Sequence, residues 1–411
     1  MAGKRKKRDE WDEHRKLSGV RQLMQLRPLL ERLRSDGCQR DRAGNREFFF
    51  DDACSLILLT FFNPTVESLR DLHQASRLKQ VKKKLGVRET SLGSLSESLR
   101  VFDPERLVEI VQELLGKLPD ATGADQRLKT LAHIPTAVDG TLLRQLPQIT
   151  QACFGKRKDR GWKLHTQFEV LRGTPIFAQV TDASGQAEAG EKAVLRGSLE
   201  PDRCYITDRG YEDFSLFNHI HAIKSSYVCR VRNDHELYEA TERELSNEAH
   251  AAGVLRDATG RMGSPKSKRI ERPDHDQRLV VVKFDVHEKR GGRKRTAASQ
   301  DIALVTNLHD VPAEVIALLY RYRWLIELFF RWLKCVMSCR HLISQSRDGI
   351  QIQMYCALIA FLLIQLATGQ DIKPDRWTYK LLCLYFQGWA DEEEVLAHLK
   401  KRNEAAKISK D

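Results

Sequence analysis

The sequence predicts an α/β protein with four parts: an all-α DNA-binding region over residues 13–125, a sheet-forming core over 126–232 and 300–345, a β-rich basic insertion over 233–299, and a C-terminal helical region over 346–411. Three observations predict it. The first part carries apolar residues at helical spacing. After a Pro/Gly/Asp-rich stretch at 118–125 the texture changes to short runs typical of strands. Residues 311–337, VPAEVIALLYRYRWLIELFFRWLKCVM, have the apolar content of a buried helix and only a thin polar stripe.

Composition narrows the function. A chain of 411 residues has room for two or more domains, and 41% hydrophobic content supports a real core. The excess of 68 basic over 56 acidic side chains, net +12, suggests a polyanionic partner, nucleic acid first. The nine cysteines are an odd number without repeated Cys-x-x-Cys spacing. Cys335 and Cys339 have no His at zinc-ligand spacing, so all nine are expected to be reduced thiols in a cytosol. The N-terminal GKRKKR has no apolar run behind it, which argues against a secretory signal. The longest apolar run, 354–367, is too short to cross a bilayer and reads as a core helix.

Residues 1–12 read as a disordered basic tail, either simply solvated or a DNA-contacting arm. Helical patterns follow at 48–61, 66–85 and 103–115. The helix at 66–85 ends in Lys79, Lys82, Lys83 and Lys84. After Gly86, Ser94 and Glu97 make a capping box for a helix that shows Ser96, Ser98 and Arg100 outward. A basic helix, a Gly turn and a small polar-faced helix fit either a helix-turn-helix or an ordinary helical hairpin.

In the core, 133–140 reads as a short strand ending at Asp139-Gly140. A hairpin follows, 164–171 and 175–181, turning at Arg172-Gly173. Then come a helix at 187–199, a strand at 204–208 ending at Asp208, a helix at 211–224 and a strand at 226–231. The polar insertion shows one clear strand, 278–286, and the basic run 290–295; a last strand at 302–306 leads to the 311–337 helix. Three antiparallel strands, a crossover helix, a fourth strand, a helix and a fifth strand is the order of the ribonuclease H-like fold. Right-handed crossovers set the fourth strand beside the first. Asp139 and Asp208 are then neighbours at the sheet edge, and the 311–337 helix can bring a third carboxylate, Glu327.

At about 100° per residue, Tyr320, Arg323, Glu327, Arg331 and Lys334 share an arc of roughly 80° on that helix. Such a stripe is either a structural ion-pair ladder or a functional site, since Lys, Arg and Glu are rarely buried without partners. Carboxylates held close together repel and need cations, and hard oxygen ligands suit Mg²⁺ or Mn²⁺. Two such ions can activate an attacking hydroxyl and stabilise a leaving 3′-oxygen. In that reading Asp139 bridges both ions, Asp208 holds one and Glu327 the other. Arg323 and Lys334 hold DNA phosphates, and Tyr320 bonds a phosphate near the scissile bond. Asp182 and Glu188 are rival carboxylates. Lys163 and His165 either face DNA or are exposed strand positions.

The spacing Tyr320-x2-Arg323-x3-Glu327-x6-Lys334, with Asp139 in AVDGTLL and Asp208 in YITDRGY, resembles DDE transposases of bacterial insertion sequences, the IS-four-like branch. The resemblance covers roughly residues 45–365. It implies a ribonuclease H-like core with a mainly β insertion, and Mg²⁺-dependent cleavage with Mn²⁺ as substitute. It also implies binding of the terminal inverted repeats of the protein's own element, joining of 3′-OH ends to target DNA, and a homodimer in the synaptic complex. Lys82, Lys83, Lys84 and Arg100 would join the DNA-binding set, and the location would be a bacterial cytoplasm, nucleoid-associated. Some relatives stack a flipped base on a Trp in the insertion; residues 233–299 contain no Trp, so the hairpin route stays open. The alternatives are a catalytically inactive DNA-binding relative, or a ribonuclease H-like nuclease without strand transfer.

Overall fold

The computed structural model describes residues 28–36, 47–63, 66–118, 125–143, 161–183, 189–233, 235, 237–263, 272–284, 300–335, 337, 342–368, 376–386 and 389–408. The N-terminal basic tail, the basic run 290–295, Glu188 and Cys339 lie outside them. The chain divides into two compact units: Met1–Leu118 with Trp332–Asp411, and Pro119–Arg331.

After the one-turn helix Leu33–Asp36, the first unit holds α1 (Phe50–Phe62), α2 (Leu69–Arg77), α3 (Lys79–Leu85), α4 (Leu92–Val101) and α5 (Arg106–Gly116). α1 is its apolar centre. Phe50, Cys54, Leu56, Ile57, Leu58 and Phe61 are buried, and Phe50 stacks on Phe102 at 4.7 Å. Residues 66–85, expected as one helix, are two, broken at the extended Leu78. α2 opens with a capping box in which Ser68 accepts from Asp71 N and Asp71 accepts from Ser68 N. No residue of α3 is fully buried. It ends at Gly86, whose φ of 68° favours glycine. The next helix is capped one turn earlier than expected: Ser91, not Ser94, is the N-cap, accepting from Ser94 N at 3.0 Å.

The second unit is built on nine strands: β1 (Ile134–Leu143), β2 (Trp162–Glu169), β3 (Thr174–Asp182), β4 (Arg203–Thr207), β5 (Ser226–Val231), β6 (Leu237–Glu242), β7 (Val254–Met262), β8 (Gln277–Phe284) and β9 (Gln300–Thr306). Their order is β3-β2-β1-β4-β5-β9-β8-β7-β6. β4 pairs parallel with β1 and with β5, as the expected crossovers require; the other pairs are antiparallel. The insertion holds three strands rather than one, and all continue the same sheet through β8 and β9. β6 buries only its first residue, so the alternation that marks a strand in sequence is missing there.

Besides the one-turn helix Gln126–Lys129 ahead of the sheet, the unit holds α6 (Glu191–Gly197), α7 (Phe214–Ala222), α8 (Asn247–Ala251), α9 (Ala313–Tyr322) and α10 (Trp324–Cys335), the last running on into the first unit. Side chains of α6 and α7 pack on Val138, Tyr205, Tyr227, Cys229 and Val305, one face of the sheet. α9 crosses β4, β5, β7 and β8. Residues 311–337 are therefore two helices, not one. They meet at Arg323, where Arg323 N bonds Tyr320 O at 3.1 Å and Ile326 N bonds Arg323 O at 3.2 Å, a tightened turn. Nor are they covered all round: Trp324 is 50% exposed, and exposed Arg331 lies over its ring at 6.0 Å.

α11 (Arg347–Thr368), α12 (Arg376–Phe386) and α13 (Glu392–Ile408) complete the first unit. The apolar run 354–367 is the heart of a 22-residue helix, α11. α11 is long and apolar enough to cross a membrane, yet it is buried among α1, α4 and α5. α11 and α12, expected in a separate C-terminal region, thus pack on helices that precede the sheet, and α13 packs on α12.

Candidate active site

Strand register brings two carboxylates together. β1 and β4 pair as far as Ala137 opposite Ile206, so two residues further Asp139 stands beside Asp208. Asp139 is not at a strand end, because β2 extends its pairing with β1 to Leu143 opposite Trp162. Asp208 follows β4 directly and accepts from Gly210 N at 2.9 Å, opening the 3-10 turn Arg209–Tyr211. Asp139 accepts from Gly140 N at 2.8 Å. Burial, joined by repulsion from Asp208 and Glu191, pushes the Asp139 carboxyl up to about 6 against the pull of Gly140 N–H and Arg323.

The third carboxylate arrives with its cation. Arg323, at the joint of α9 and α10, donates through Nη2 to Glu327 Oε1 at 2.6 Å and stands 3.8 Å from Asp139 Oδ2 through Nη1. Beneath it lies the Tyr320 ring, 5.6 Å from the guanidinium. Tyr320 is buried, which pushes its phenol up against the pull of the neighbouring Arg323 and Arg230.

The approach to α9 is fixed from the insertion. Arg278, 1% exposed, makes a two-pronged pair with Asp257 at 2.8 and 2.8 Å. Its Nη1 donates to the carbonyls of Leu308 and Val311, at 2.9 and 2.5 Å, in the turn before α9. Arg321 reaches Ala252 O at 3.2 Å and lies over Phe284, whose ring meets the Tyr320 edge at 6.0 Å.

A fourth carboxylate was not singled out in the sequence. Glu191, in the first turn of α6, pairs with Lys163 of β2 at 2.5 Å. Neither Lys163 nor His165 is an exposed strand position: Lys163 is half-buried, and His165 is buried with Nε2 against Thr181 Oγ1 at 2.8 Å. The rival Asp182 is exposed at the end of β3. Nothing local in the sequence marks Glu191, a lone acid on a short helix.

Asp139, Asp208, Tyr320, Arg323 and Glu327 therefore gather within one unit. Lys334 lies two turns further along α10, in the other unit. Lys82, Lys83, Lys84 and Arg100 are in that helical unit too. Lys82 pairs with Glu89 at 3.2 Å, while Lys83, Lys84 and Arg100 are exposed.

The donors fit a hard divalent cation in kind: carboxylate oxygens, with Asp139 strained by its like-charged neighbours. As placed, no three His, Cys, Asp or Glu side chains among the described residues converge on a cation position. The Arg323 guanidinium occupies the cationic role between Asp139 and Glu327.

A family profile described as "Transposase DDE domain" matches residues 131–363, which include Asp139, Asp208 and Glu327. The chain belongs to the transposase DDE domain family. Relatives of this DDE-domain chain include the "Putative transposase y4zB" of Sinorhizobium fredii, 29% identical over 210 residues, 51% of this chain and 54% of the relative. The "Probable transposase for insertion sequence element IS5377" of Geobacillus stearothermophilus is 25% identical over 214 residues, 52% and 51% of the two chains. The "Putative transposase for insertion sequence element IS4SA" of Synechocystis is 28% identical over 162 residues, 39% and 40%. The DDE-domain chain thus spans about half or less of the length of the curated relatives it matches.

Proposed function

We propose that this DDE-domain chain is the DNA transposase of an insertion sequence, with its first five strands forming a ribonuclease H-like catalytic core. It binds the element's terminal inverted repeats, cuts the ends and joins the 3′-OH ends to target DNA, working as a homodimer in the synaptic complex. The observation that carries the reading is the β1–β4 register, which sets Asp139 beside Asp208 just past the last paired residues, with Glu327 tied to the same guanidinium that faces Asp139.

Asp139, Asp208 and Glu327 would hold Mg²⁺, with Mn²⁺ substituting, and the ion would supply activation of the attacking hydroxyl and stabilisation of the leaving 3′-oxygen. Arg323, relieved of the carboxylates, turns its guanidinium to a DNA phosphate, a match its forked geometry suits. Tyr320 supports Arg323 from below. Lys334 adds a second phosphate contact. Exposed Lys83, Lys84 and Arg100, with Lys82, supply end binding from the helical unit.

The test uses the purified full chain, Mg²⁺, a duplex ending in the inverted repeat that flanks the coding region, and a plasmid target. Joined end–plasmid product is expected. Cutting without joining would favour a nuclease, and end binding with neither would favour an inactive relative.

A further inference from the structure

We propose that Arg230 of β5 binds a DNA phosphate at this site, together with Tyr320 and Arg323. This rests on the DNA-end reading above and gives it a further residue, on a strand rather than on the α9–α10 pair.

Strand register brings Arg230 into line with the two aspartates. β4 and β5 pair parallel as far as Thr207 opposite Cys229, so the next residues across are Asp208 and Arg230. With Asp139 beside Asp208, three adjacent strands present Asp139, Asp208 and Arg230 in one row. Val138 of β1 and Tyr227, Cys229 and Val231 of β5 pack in one cluster with Leu195 of α6 and Leu216 of α7. Alternation therefore sets Asp139 and Arg230 on the other face, where Arg323 meets Asp139.

On that face the end of α9 delivers Tyr320, whose phenol is pulled by two guanidinium groups, Arg323 at the joint and Arg230 on the strand. Both cations are partly buried, and the Nε of each is buried without a hydrogen-bond partner. Buried polar atoms are normally satisfied, and two like charges beside one hydroxyl repel, so an anion would stabilise the arrangement. The two cations differ in what they already hold. Arg323 faces Asp139 and donates to Glu327. Arg230 has no carboxylate partner among the described residues, so its charge is uncommitted. A backbone phosphate offers oxygens to both forks and offsets their charge. A brace for Tyr320 alone would need a donor, not a second full charge.

The experiment measures end binding by the full chain in EDTA, with a thermal melt of each variant. The probes are the inverted-repeat duplex and a set of duplexes in which one phosphate at a time is a neutral methylphosphonate. Arg230→Met is expected to bind about tenfold more weakly and to lower the salt slope by about 1. One methylphosphonate position near the cleaved end is expected to weaken wild type by as much, and to weaken Arg230→Met little further, because both changes remove the same contact. A brace for Tyr320 instead predicts a lower melting temperature and a loss in Arg230→Met that adds in full to the loss at every methylphosphonate, which overturns the proposal. Arg230→Gln carries the same comparison if Arg230→Met fails to fold. Full additivity at every position with wild-type binding intact would sink this inference alone; wild type that does not bind the inverted-repeat duplex would sink the DNA-end reading and this inference together.

Discussion

Asp139 carries its charge at a cost to the fold. Its carboxyl sits at about 6 rather than near 3.8, because burial and two neighbouring carboxylates disfavour the ionised form. The folded protein therefore binds this proton more tightly than the unfolded chain does. The resulting stability is fully present below about pH 4 and is lost as pH rises through about 6. Above that, ionised Asp139 costs the metal-free fold up to about 3 kcal/mol. Asp139→Asn is expected to stabilise the protein against urea by that order at pH 8 in EDTA, and hardly at all at pH 4. An equal effect at both pH values would contradict the assignment. At this scale the sequence singled out Asp139, Asp208, Arg323 and Glu327 from an Asp-Gly step, the end of a short strand and helical spacing, which are local patterns, although Asp139 lies inside β1 rather than at its end. Glu191 and Arg230 were silent, since a lone acid on a short helix and one Arg on a strand acquire meaning only from what the sheet sets beside them.

The α9–α10 pair depends on an element far away in sequence. Arg278, on β8, ties Asp257 of β7 to the turn that launches α9. Removing one partner of a fully buried pair leaves an uncompensated charge, typically about 3–5 kcal/mol. Arg278→Met is expected to lower the urea midpoint by that order, and Arg278→Lys to recover only part, because one ammonium cannot make the two-pronged contact. A midpoint unchanged in Arg278→Met would show that the turn is held by other means. The sequence marked the strand of Arg278 but not β6 or β7, whose polar edges hide the period of two. It marked residues 311–337 as helical but not the joint at Arg323, which hydrogen bonds at i, i+3 decide rather than a proline or glycine.

On the scale of the whole chain, α11, which starts at Arg347, is enclosed by α1, α4 and α5, the last of which ends at Gly116, with the whole sheet between them in sequence. Sequence periodicity marked α1, α5 and the apolar heart of α11, but no local pattern says which distant helices share a core. Deleting residues 1–118 strips α11 of these partners and exposes an apolar surface, so that truncation is expected to aggregate in size-exclusion chromatography; a monodisperse, cooperatively melting product would contradict the division into units. Point changes are the cleaner probe of end binding. Lys83→Glu with Lys84→Glu, both exposed, should leave melting unchanged while weakening DNA-end binding and flattening its salt dependence by a slope of about 2. Unchanged salt dependence would remove this helix from the interface. The central claim is that Asp139, Asp208 and Glu327 form one cleavage centre. It is tested most directly by cutting of an inverted-repeat duplex by wild type and by Glu327→Ala, with end binding measured in parallel. The account predicts Mg²⁺-dependent cutting by wild type, none in EDTA, and none by Glu327→Ala at undiminished end binding; cutting by Glu327→Ala at the wild-type rate would contradict it.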